Sequence, residues 1–413
     1  MRAIRAQRLS ASEPLRALFS DRQFRSYFLA RQGGLVGYAL EAVAVSWQIY
    51  ALHHSAFDLA LVGLILFIPQ LGLAIPAGML ADRVDRRTVC IAVSLGEMCG
   101  VTLFAILIAH GVHLRWPYFA ALGLIGIMHA IGAPAERSML AAILRGNGFV
   151  RAQAFTSSVG QVINVAAPAL GGLLIAVGTP LAFGVAGFGY ILAAIGYATL
   201  DARGEADSGV GGAIDGIRFL FSHPVVLGAI TLDLFAVLFG GATALLPIFA
   251  ISILHVGPVG FGILRSAPAI GAGIIAFLIS RRPVQHHAGR LLFGCVAAFG
   301  VATIVFGVSR NVWLSSIALL ATGGFDMVSV VIRIALVQLG TPDALRGRVT
   351  AIENIFIGAS NELGAFESGA VAAWLGPEAS VVLGGIATLV VVVLSATVFP
   401  ALRRLDALHP EEA

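Results

Sequence analysis

Four carboxylates, Glu41, Asp233, Asp326 and Glu362, stand inside long apolar stretches of this chain. A charge at mid-membrane depth costs about 2.5–3.5 kcal/mol on insertion scales, so such a group must face a polar cavity or a partner. A carboxyl held in that way can take up and release a proton, and these four are read as the proton-coupling residues. An acid paired to a neighbouring helix for assembly is the competing reading of each. Glu97 has little polar company in its stretch and reads as structural. His129 belongs to the residue type whose ordinary titration range suits proton coupling. With Trp47, Gln48, Gln161, Asn164, Asn361 and Glu367 it would suit an aromatic and amide-lined cavity for an amphipathic ligand. Aromatic stripes in helices also serve as plain packing. Asp326 and Arg333 are seven residues apart, hence on one helix face but about 10 Å apart along the axis, too far to pair with each other. Arg333, like Arg137, lies near one end of its stretch, where a gate ion pair is favoured over substrate binding.

The elements that must carry these residues follow from composition. The chain has 413 residues, 58% of them hydrophobic and only 12% charged. Its mean hydropathy is +0.92. Soluble domains carry about 25% charged residues, so this is a polytopic membrane protein. All 26 basic residues are arginine. They sit in short loops between apolar runs rather than on one clustered face, which excludes nucleic-acid binding. Cys90, Cys99 and Cys295 lie in or beside apolar runs and read as packing residues; His53-His54 and His286-His287 lack metal-ligand spacing. No metal site is expected. Without lysine no phosphate-cradling loop can be completed, and no nucleophile–base set is evident, so the chain is expected to be neither an ATPase nor another enzyme. No cleavable signal is expected at the Arg-rich start, where an amphipathic piece around Pro14–Phe28 would lie at the interface.

Apolar runs near twenty residues long number twelve: 26–50, 58–81, 89–110, 117–141, 152–177, 181–200, 224–252, 258–280, 291–308, 312–339, 350–373 and 379–400. Between the second and third lies a charged knot, Asp82-Arg83-Val84-Asp85-Arg86-Arg87, which must be a short hairpin outside the hydrocarbon. Twenty arginines fall on the knot's face and two on the other, so the positive-inside rule places both termini in the cytoplasm. Residues 201–223 form a polar linker whose apolar positions 214, 217, 220 and 221 suit a short interfacial helix. The linker separates an N-terminal six-helix bundle, 1–200 with its tail, from a C-terminal one, 224–413. The halves repeat: Arg137 and Arg333 are 196 apart, Arg151 and Arg348 are 197 apart, and Arg86-Arg87 match Arg281-Arg282 at 195. Two such repeats imply a central cavity opened alternately to each side.

Gly78-x-Leu-Ala-Asp82-Arg83-x-x-Arg86-Arg87 resembles the hairpin signature of the major facilitator superfamily, with Asp85 where that signature has glycine. Ala167-Pro168-Ala-Leu-Gly171-Gly172 is similar to the superfamily's antiporter motif, with alanine for its first glycine; Pro168, Gly171 and Gly172 would provide its close packing. Ala44-Val-Ser-Trp47-Gln48-Ile-Tyr50, Asp326 to Arg333, Arg346-Gly-Arg348 and Asn361-Glu362-Leu-Gly364-x-Phe-Glu367-Ser-Gly369 resemble the branch of the enterobactin exporter and the macrolide efflux pumps. The resemblance implies an all-α membrane protein of twelve transmembrane helices in two pseudo-symmetric bundles. It further implies proton-coupled efflux of an amphipathic small molecule, a siderophore or macrolide-like drug, from the bacterial inner membrane. The proton gradient would be the driving force, without any cofactor, and the chain would work as a monomer. Carried over, Asp82 would dock on the start of span eleven, and Arg83, Arg86, Arg87, Arg137, Arg333 and Arg348 would be gating charges. Lipid movement, facilitated import and a non-transporting sensor are the alternatives.

Overall fold

The computed structural model describes residues 15–144, 147–201, 213–282 and 286–406. The side chains of Asp82 and Arg137 lie outside the described residues. Among the described residues the structure is helical, with no strand. It opens with α1 (Leu15–Ser20), α2 (Arg22–His53), α3 (Ala56–Gly72), α4 (Ala74–Arg83), α5 (Arg86–Ala109), α6 (Arg115–Ile143), α7 (Asn147–Val177) and α8 (Thr179–Ala198). The linker helix α9 (Ala213–Ser222) leads to α10 (Pro224–Phe239), a 3-10 turn Ala242–Leu245, the single α-turn α11 (Leu246–Ile248) and a π-turn Phe249–Ile253. Then come α12 (Gly257–Arg281), α13 (Ala288–Val308), α14 (Val312–Gly340), α15 (Asp343–Leu375), α16 (Pro377–Val398) and α17 (Pro400–Arg404).

Among the described residues, ten segments are long and apolar enough to cross a membrane. The second and eleventh expected spans fall outside that set for visible reasons. Pro69 removes a backbone donor inside α3, and the chain bends at Leu73 into α4, so span two is two shorter helices. α15 is unbroken over 33 residues but carries Arg346, Arg348, Glu353, Glu362 and Glu367. Twelve spans remain consistent with this arrangement. Span seven, expected as one helix over 224–252, is not continuous: α10 ends at Gly240-Gly241, where glycine's conformational freedom and Pro247 beyond it favour unwinding.

The chain forms two compact units, 1–45 with 68–208, and 46–67 with 209–413. In the first, α2 and α8 meet through small residues: a Cβ on Gly189 would lie 2.7 Å from the Gly33 carbonyl, and one on Gly37 3.0 Å from that of Ala186. The stretch expected to lie at the interface folds inward instead. Phe19 makes edge-to-face contacts with Phe24, Phe28 and Phe155, and Leu18 is buried with Tyr27, Val89 and Met139. Protein rather than lipid covers those apolar side chains.

In the second unit, α12 and α14 touch backbone to backbone: a Cβ on Gly271 would strike the Leu320 carbonyl and one on Gly323 the Pro268 carbonyl. Gly323→Ala is therefore expected to lower stability by about 1–3 kcal/mol through overpacking. Thermal unfolding of the solubilised protein measures this, with Gly273→Ala, whose Cβ meets nothing within 4 Å, as the neutral comparison. The linker helix α9 also turns partly inward. Phe219 and Leu220 are buried with Val226, Ile230, Val337 and Val349, while Ile217 and Phe221 stay exposed.

Candidate functional site

The charged knot is a helix junction. α4 runs through Arg83, the chain is extended at Val84, and Asp85 caps α5 by accepting from the Arg87 amide at 3.2 Å. Asp85 has φ −53°, so the position does not require glycine, and a side chain that caps is the better choice. Arg87 donates from Nη2 to the Ala198 carbonyl near the end of α8, where helix carbonyls lack internal partners. Arg348, expected as a gating charge, lies 3.5 Å from Asp215 and ties α15 to the linker helix.

Two polar clusters lie deep in the helices, one in each unit. In the first, Glu41 on α2 is almost wholly buried and accepts from the Tyr190 hydroxyl on α8 at 2.5 Å. His129 Nε2 on α6 stands 3.4 Å from Glu97 Oε1 on α5 and 3.9 Å from Glu41 Oε1. Tyr38 sits edge-on to the imidazole at 5.1 Å between centroids. Two carboxylates, an imidazole and a phenol thus share one site. The sequence singles out Glu41 and His129 but sets Glu97 aside and misses Tyr190, which looks like any other aromatic of a packed helix.

Toward the other end of the same helices, Arg31 Nη1 on α2 pairs with Glu136 Oε2 on α6 at 2.7 Å. Both side chains are partly exposed, at 40% and 25%. Arg31→Gln strands one partly exposed carboxylate and is accordingly expected to lower Tm modestly.

The second unit carries the counterpart with its charges exchanged. Arg333 on α14 lies 3.3 Å from Asp233 Oδ2 on α10 and binds Glu353 on α15 through Nη1. Ser329 donates to Asp233 Oδ1 at 3.3 Å. α6 and α14 are both 29 residues long, beginning at Arg115 and Val312, which places Glu136 in register with Arg333 and His129 with Asp326. Asp326 and Arg333 do not pair, as the seven-residue spacing requires. Asp326 faces a narrow space shared with Asp233 and Ser329 on one side and a cavity of about 190 Å³ on the other. Asn361 lines that cavity too. Glu362 is half-buried beyond it, and Glu367 accepts a 3.4 Å bond from the Ser368 hydroxyl.

The remaining cavity residues are dispersed. Trp47 packs on Phe261 at 5.4 Å within the second unit, and Tyr50 shares a 2.7 Å hydrogen bond with Ser252. Gln48 and Gln161 are half-buried and Asn164 is exposed on α7. Pro168, Gly171 and Gly172 are buried, and a Cβ on Gly171 would lie 3.0 Å from Val43 of α2, so the motif lets these helices approach closely. No group of three or more metal-ligating side chains is present among the described residues. Outside the membrane spans, His286 and His287 close on Asp406, the latter at 2.6 Å. The His287 backbone amide, ahead of the two imidazoles, holds the Asp406 carboxyl below its ordinary range. The ionised form is favoured in the fold, so protonating Asp406, as pH falls through that lowered value, weakens this contact.

Two helical units with acids buried at mid-helix define a multi-pass membrane transporter, and solved transporters share the fold. A bacterial homolog of the human lysosomal transporter Spinster superposes with TM-score 0.69 over 95% of this chain and 98% of its own, at 15% identity. That likeness concerns fold alone. The chain belongs to the transmembrane secretion effector family of the major facilitator superfamily, whose profile it matches over residues 12–412. Among its relatives, the enterobactin exporter EntS of Citrobacter koseri is 27% identical over 395 residues, covering 92% of each chain. EntS of Escherichia coli O1:K1 is 26% identical over 402 residues, covering 94% of each.

Proposed function

We propose that this transporter is a proton-driven exporter of an amphipathic small molecule, siderophore or macrolide-like, in a bacterial inner membrane. It would act as a monomer with both termini in the cytoplasm. The observation that carries the coupling is a titratable group at the same register in each unit, His129 beside Glu41 and Glu97, and Asp326 beside Asp233. Protons bound there change the charge of the helices that alternating access must rearrange. The exporters among the relatives favour efflux. The arginine bias supports the orientation.

Export of a catecholate siderophore and of a macrolide from energised cells, with and without a protonophore, tests the reading. Export that stops when the gradient collapses supports it. Export indifferent to the protonophore would remove the coupling and turn the buried acids into structural groups.

A further inference from the structure

Each unit ties the end of its last span to the start of its third, and the two ties differ in chemistry. In the first, Asp85 caps α5 from within the junction, and Arg87 donates to the Ala198 carbonyl where α8 ends. In the second, the residue ahead of α13 is His287, which stands in the left-handed region at φ 57° and whose side chain caps nothing. The opening amides of a helix lack partners within it. Here the C-terminal segment supplies them. The Asp406 carboxylate, 119 residues on, accepts from the His287 amide at 3.0 Å. The Asp406 carbonyl accepts from Ala288 at 3.0 Å and the Leu405 carbonyl from Gly289 at 2.9 Å. A carboxylate at this end of a helix is also favoured by the helix dipole.

Residues 400–406 thus lie over the start of α13 with an anchor and a tip. The anchor is Leu402, wholly buried in one core with Ala229, Leu292 and Phe293. A Cβ on Gly289 would strike the Leu402 carbonyl, so only glycine lets the two segments lie this close. The tip is open to water: the side chains of His286, His287 and Asp406 are 72%, 67% and 59% exposed. His287 Nδ1 stands 2.6 Å from Asp406 Oδ1, and His286 Nδ1 stands 3.7 Å from Oδ2.

We infer that residues 400–406 form a pH-sensitive strap over the start of α13, closed when His286 and His287 are protonated against Asp406 and released as pH rises. Imidazole is the side chain whose charge ordinarily changes between about pH 5 and 8. The His287 amide, ahead of the two imidazoles, holds the Asp406 carboxyl below its ordinary range, so Asp406 stays ionised there. Falling pH therefore adds positive charge against a fixed negative one and tightens the strap. Only lower still, where Asp406 itself takes a proton, is the attraction lost. The other charges on the elements at the tip are Arg281 and Arg282 at the end of α12, Arg290 on α13, and Arg403 and Arg404 on α17, all exposed. Arginine keeps its charge throughout this range. α10 and α16 also pack on α17. His223, which leads into α10, is turned to the Phe219 carbonyl at 2.9 Å; Asp233 is deep in α10, and Glu378 stands at the far end of α16. The first unit's tie, made by Asp85 and Arg87, uses no imidazole, so the response belongs to the second unit.

The test uses the full-length protein in lipid nanodiscs with a nitroxide at Ala407→Cys, next to the tip. Cys99→Ser removes the exposed native thiol, and Cys90 and Cys295 are buried. Electron paramagnetic resonance reads the ratio of mobile to immobile label between about pH 6 and about pH 8.5. The ratio is expected to rise about fivefold across that interval, the scale of two exposed ion pairs. His286→Gln with His287→Asn should remove the response, as should Asp406→Asn, which still accepts from the His287 amide but carries no charge. All three positions are exposed, so the fold is kept. A ratio that does not change with pH overturns the proposal. So does a response that persists in the double histidine variant or in Asp406→Asn, because another group would then be titrating.

Discussion

Arg333→Met is expected to destabilise the second unit by about 3–5 kcal/mol, the loss that follows when a buried ion pair is left with one partner. Arg333 is 3% exposed and is shared by Asp233 at 6% and Glu353 at 5%, so removing it strands two carboxylates from two other helices. The Arg31–Glu136 pair, its counterpart in the first unit, is partly exposed and its loss strands one carboxylate rather than two, so the change should be smaller. The decisive comparison adds Asp233→Asn and Glu353→Gln to Arg333→Met. Neutralising all three ends removes the stranded charge and should recover most of the lost Tm, because the cost lies in unpaired burial rather than in lost attraction. A triple variant no more stable than the single one would show that Arg333 acts through shape. If the triple variant is stable yet exports nothing, the charges of this network serve transport in addition to assembly.

The second large effect is expected at Glu41. Glu41→Gln should reduce export to the background of vesicles lacking the protein while leaving Tm close to wild type. A glutamine carbonyl can still accept the Tyr190 hydroxyl that the carboxylate accepts at 2.5 Å, so packing is kept and only the titrating proton is lost. Tyr190→Phe separates the two contributions. It keeps the acid, removes its one close donor, and should shift the pH dependence of export without abolishing export. Wild-type export in Glu41→Gln would transfer the role in this unit to His129 and Glu97, which the same assay can test with His129→Gln and Glu97→Gln.

Much of this architecture is legible in the residues because hydrocarbon allows few solutions. Apolar runs near twenty residues mark the spans, and Asp82 to Arg87 can only form a junction outside them. A repeat shows in the arginine spacing, but the helix starts set the register one residue off it, aligning Glu136 rather than Arg137 with Arg333. Other features escape sequence reading for identifiable reasons. The α10 break has its signal in Gly240-Gly241 and Pro247, yet such residues are also common in unbroken membrane helices. Leu220 and Phe219 of the linker helix could cover either lipid or protein, and only the docking partner, at Val337 and Val349, decides. The cluster at Glu41 depends on Tyr190, 149 residues away, and on the register of α5 against α6 that brings Glu97 to His129. Neither pairing has a local signature. The sequence names ionisable residues that must find partners; only the packing of helices names the partners.

The most direct test of proton-driven export records vesicle pH and substrate uptake together. Everted vesicles are energised until their interior is acid, and the exported compound is then added outside. The account predicts that substrate enters as protons leave, with a rise in internal pH that scales with the amount added and is absent in Glu41→Gln and Asp326→Asn. Substrate accumulation with no change in internal pH, or both variants exchanging protons as the wild type does, would contradict it.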